Sequence, residues 1–142
     1  MSNIDKRALR EAAEKALSAG DGNWQTWREA GMNYPEIFTS SGHIVATVNG
    51  SFAVVRSDFI AAANPATVLA LLDELEAKGK RNTELNEALK QAVSGYKSCL
   101  RTGYERILEL GGDCDSPEVM IAGNPDIQHA EKLIAAAAGK GE

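Results

Sequence analysis

The chain has 142 residues and a mass of 15.1 kDa, room for one domain or for a small domain with a helical extension. Its 44% hydrophobic and 25% charged residues are those of an ordinary folded chain, which excludes wholesale disorder and low-complexity fibres. A balance of 20 Asp and Glu against 15 Lys and Arg gives a net charge of -5, which argues against a nucleic-acid partner. No apolar run approaches the roughly 20 residues that a membrane span needs. The opening MSNIDKRALREAAEKAL is charged and lacks a secretory core. A cytoplasmic protein with no membrane contact is therefore expected, and Cys99 and Cys114, with no CxxC pair, are expected to be reduced structural thiols.

In chain order, Ser2 followed by Asp5 is a helix start signal, and Ile4, Leu9 and Leu17 recur at helical spacing until Gly20. Trp24 and Trp27, three apart, fit one short helical turn ending near Gly31. They are either core anchors or part of a partner-binding surface, since aromatic anchors dominate such surfaces. After Pro35 the residues become β-branched and aromatic, and three strands are predicted: Glu36–Thr39, His43–Val48 and Phe52–Arg56. Asn49-Gly50 is the predicted hairpin turn between the last two. So small a sheet needs a backing helix. Ser57-Asp58 reads as the cap of a short helix from Phe59 to Ala63, and Asn64-Pro65 restarts the helix with favoured residues at the cap and first positions.

From Pro65 to about Leu110 no further proline occurs, and Val68, Leu72, Leu75, Leu89, Val93, Tyr96, Leu100, Ile107 and Leu110 fall on one seam at steps of three and four. Leu69, Leu71 and Leu85 flank it. Such a stripe fits a coiled coil, and Gly79, Asn82 and Asn86 interrupt it. Two arrangements satisfy the pattern. One unbroken helix would be about 70 Å long and would need a partner chain, whereas a turn at Lys78-Gly79-Lys80-Arg81-Asn82 would fold two helices on each other. Gly111-Gly112 ends the segment. Beyond it, Ser116-Pro117 and Asn124-Pro125 start two shorter helices.

The fold class is thus α+β, mainly α. Residues 1–63 are read as an N-terminal helix with a small antiparallel hairpin domain, 64–110 as a long helical, coiled-coil-like segment, and 111–142 as a helical C-terminal region. Asp113, Asp115 and Glu118 bring three carboxylates close in sequence, but lack the glycine and later glutamate of a calcium loop and read better as partners of a positive helix N-terminus. No phosphate loop, nucleophile elbow or zinc-protease signature occurs. No catalytic residue, cofactor or metal is expected, and the chain is not expected to be an enzyme.

The stretch FIAAANPATVLALLDELEA, Phe59 to Ala77, closely resembles the Ead-like family of accessory proteins of temperate lambdoid phages, and MSNIDKRALREAAEKA resembles that family's start. The resemblance implies an early-expressed, non-enzymatic phage protein of the bacterial host cytoplasm, built from an N-terminal domain, an oligomerising coiled coil and a C-terminal domain. It also implies a part in the choice between lytic and lysogenic development. A homo-oligomer, dimer or tetramer, that binds a host or phage regulatory protein is expected. The alternative is a stoichiometric inhibitor of a host defence or nucleic-acid-processing protein.

Overall fold

The computed structural model describes residues 4–32 and 34–139. The chain forms two compact units, Met1–Ala77 and Lys78–Glu142. The first begins with helix α1, Lys6–Ser18. Its cap is Asp5, whose carboxylate accepts the Arg7 and Ala8 amides at 3.1 and 2.9 Å. Ser2, the other half of the expected start signal, lies outside the described residues.

Three antiparallel strands follow in the order β1-β2-β3: β1 is Trp24–Trp27, β2 Glu36–Thr39 and β3 Ile44–Thr47. The tryptophan segment is a strand and not the expected helical turn. Trp24 and Thr26 are half-buried while Gln25 and Trp27 are exposed, a period of two that a strand edge satisfies and a helix does not. Trp24 stands opposite Thr39 and Trp27 opposite Glu36.

The hairpin turn lies at Ser40-Ser41-Gly42, between β2 and β3, and not at Asn49-Gly50. Gly42 takes φ +88°, and the Thr39 amide donates to the His43 carbonyl at 2.9 Å. Gly50 instead leads into helix α2, Ala53–Ala62. The predicted strand Phe52–Arg56 is therefore the start of a helix. Its β-branched residues favour a strand locally, but a helix here buries Ser57 and Ala61, four apart, in a unit whose sheet packs against α2. Ser57-Asp58 is not a cap. The Ser57 hydroxyl donates to the Val54 carbonyl at 2.8 Å within the helix, and Asp58 accepts from Thr26 and Arg28, tying α2 to the β1 region. Ile37 on β2 is fully buried at the centre of this small core.

Asn64 joins α2 to helix α3, Pro65–Glu109. Its side-chain amide donates to the Ala61 carbonyl and its oxygen accepts the Thr67 amide, each at 2.9 Å, so one residue closes one helix and opens the next. Arg10 of α1 reaches Asp73 of α3 at 2.7 Å. Of the two arrangements the sequence allows at Gly79, the structure has the unbroken helix: Gly79 lies within α3, and its carbonyl accepts from the Thr83 hydroxyl at 3.2 Å.

In the second unit α3 ends in a Schellman motif. Gly111, at φ +77°, donates to the Leu108 carbonyl, and Gly112 donates to that of Ile107, both at 2.9 Å. Helix α4, Pro117–Gly123, and helix α5, Pro125–Ala138, follow, capped by Ser116 and Asn124. Ile127 on α5 is almost fully buried. The α+β, mainly α class stands.

Candidate functional site

The strand geometry separates the two tryptophans. Trp24 turns to the half-buried side of β1, and Trp27, 52% exposed, to the other. Trp27 and Gln25 line an open hollow of about 320 Å³ with Phe38 and Gly42. Trp27 thus presents far more of its ring to the outside than Trp24 does. Phe52, the residue before α2, and Val55 and Phe59 within it follow at steps of three and four, and Phe52 and Phe59 are 76% and 73% exposed. Phe52 also holds the left-handed conformation, φ +62°, uncommon for a residue other than glycine. The strand propensity of Val54 and Val55 masks this apolar face in the sequence. The spacing of Phe52, Val55 and Phe59 was the signal that could have found it.

The seam residues divide by exposure. Val68, Leu72, Leu89, Val93 and Leu100 are half-buried, while Leu75, Tyr96, Ile107 and Leu110 are exposed. The flanking Leu71 and Leu85 are exposed too, and Leu69 is half-buried. In the second unit the half-buried side faces the chain's own C-terminal helix. Val93 and Lys97 share a groove with Ile134 and Ala138, Lys97 pairs with Glu131, and the Tyr96 hydroxyl accepts from Asn124 at 3.3 Å.

The polar clusters are structural in their contacts. Asp21 accepts the amides of Ser40 and Ser41 at 3.0 and 2.9 Å and the Ser41 hydroxyl at 2.9 Å. Desolvation, the largest influence, raises its pKa, yet the hydrogen bonds from Ser41 and Ser40 together outweigh it and hold the carboxylate well below its usual range. Ser41 also meets His43 Nδ1 at 3.1 Å. Glu118 sits in the first turn of α4, where the helix N-terminus favours a carboxylate. Among the described residues no group of three or more His, Cys, Asp or Glu side chains is arranged to hold a metal ion. Among them, too, no single helix is long and apolar enough to cross a membrane.

Set beside known proteins, residues 2–138 match the family model described as Ead/Ea22-like protein. Neither the curated proteins nor the solved structures give a match.

Proposed function

The chain belongs to the Ead/Ea22-like protein family, which makes it a phage accessory protein, and we propose that it acts without catalysis, by self-association along α3 and by binding a host or phage regulatory protein. In this reading the setting is the host cytoplasm and the outcome bears on phage development. The observation that carries it is the unbroken α3 with Leu71, Leu75, Leu85, Ile107 and Leu110 left exposed at helical spacing. Isolated helices are marginal in water, and an apolar stripe gains stability by meeting another apolar surface. The exposed Trp27 and the Phe52–Phe59 face of α2 supply the second requirement, aromatic anchors that a partner's pocket can enclose.

Light scattering coupled to size exclusion tests the reading on wild type, Leu75→Asp and Leu85→Asp. Both leucines are exposed, so neither change empties a core. The expected result is a dimer or tetramer whose mass falls towards that of one chain in the variants. A wild-type mass of a single chain at all concentrations would overturn the reading.

A further inference from the structure

Two apolar stripes run side by side on the part of α3 within the second unit. Leu89, Val93 and Leu100 are half-buried on the side where Lys97 pairs with Glu131 of α5. The neighbouring stripe is open: Leu85, Tyr96 and Ile107 are 54%, 47% and 40% exposed, Tyr96 remaining so while its hydroxyl accepts from Asn124 at 3.3 Å. Residues 85, 96 and 107 are eleven apart, close to three full turns, so they line up along a straight helix. Between them stand only the small residues Ala88, Ala92, Cys99 and Gly103, all exposed.

The outer edge of the open stripe carries two ion pairs within the helix, Arg81–Glu84 at 3.6 Å near one end and Arg106–Glu109 at 3.4 Å near the other, with all four side chains largely exposed and free to share a second partner. A parallel copy would set this edge against the opposite edge of its partner helix, where Lys97 is paired with Glu131 and only 25% exposed, too covered to meet a second chain's carboxylate. A reversed copy sets the edge against itself. Centred near Tyr96, reversal brings Glu84 beside Arg106 of the second copy and Arg81 beside Glu109, and two-fold symmetry repeats both pairs. The same register puts Leu85 against Ile107, Ala88 against Gly103 and Ala92 against Cys99. We propose that a second copy of this chain docks on the open stripe of α3 in antiparallel orientation about a two-fold axis at Tyr96. The proposal rests on the self-association reading above and specifies its geometry.

Disulfide trapping in the full-length chain carrying Cys114→Ser tests it, with and without Ala92→Cys. In the antiparallel register the two Cys99 residues lie about 10 Å apart along the axis, beyond the roughly 4.4–6.8 Å Cα separation of a disulfide. Mild oxidation should therefore leave the parent as single chains on a non-reducing gel, while Ala92→Cys gives a covalent dimer that reductant dissolves. Glu84→Arg or Arg106→Glu alone should weaken association roughly fivefold, and the double variant should restore it. Cross-linking of the parent through Cys99 would mean a parallel pair and overturn the proposal. So would a dimer by light scattering that neither cross-links at residue 92 nor is rescued by the double variant, with self-association itself intact. A monomer would overturn both.

Discussion

Asp21 and Gly22 show how much of the first unit hangs on two adjacent positions. The Asp21 carboxylate holds the β2–β3 turn through Ser40 and Ser41, and its pKa is depressed by those bonds despite desolvation. Asp58, held by Arg28 first and Thr26 next, is depressed as well. A carboxylate whose folded pKa lies below its unfolded value stabilises the fold fully above the unfolded value, and that contribution is lost as pH falls towards the folded one. Urea midpoints should therefore be level from neutral pH down to about 4 on account of these groups and then fall with further acidification. Asp21→Asn should lower the neutral midpoint and flatten the acid slope, and an unchanged slope would sink this account. At Gly22 the constraint is space. An added Cβ would stand 2.4 Å from Leu17 Cδ1 and 3.3 Å from the Ala66 amide nitrogen. The leucine tip can swing aside but the backbone of α3 cannot, so Gly22→Ala should cost about 1–2 kcal/mol by urea denaturation.

At the level of elements, the helix boundaries were legible because their signals are local. Asn64-Pro65, Ser116-Pro117, Asn124-Pro125 and Gly111 act through hydrogen bonds within a few residues of themselves, and each does so in the structure. The segments around Trp24 and Phe52 misled because their conformation is decided by distant partners. Trp24–Trp27 becomes a strand through pairing with β2, and the Val54-Val55 segment becomes helical because Ser57 and Ala61 pack into the unit's core. The candidate surfaces divide in the same way. The seam on α3 could be read from spacing alone. Which of its residues the chain covers itself depends on α5, and no local pattern announces that contact. Gly79 offers a direct check on the unbroken helix. An added Cβ there meets nothing within 4 Å, so Gly79→Ala should stabilise the chain by roughly 0.5–1 kcal/mol, the propensity difference in an exposed helix interior. A loss of stability, as for a turn needing positive φ, would contradict the continuous helix.

For the molecule as a whole, the proposed self-association would appear as mass action. If α3 pairs two folded chains, unfolding consumes one dimer to yield two chains, and stability depends on protein concentration. A hundredfold rise in concentration is worth about 2.7 kcal/mol per dimer, enough to raise the thermal midpoint by several degrees. Leu85→Asp should remove most of that dependence, because it puts a charge on the stripe without touching a buried residue. A wild-type midpoint that is the same at both concentrations would count against any dimer. Salt then separates the two contributions to the interface. Exposed pairs such as those of Arg81, Glu84, Arg106 and Glu109 are screened within about 3 Å at 1 M salt, whereas apolar burial is not weakened by it. In the proposed dimer apolar contact would supply the affinity and the charges the orientation, so the midpoint's dependence on concentration should survive high salt while the penalty of Glu84→Arg shrinks.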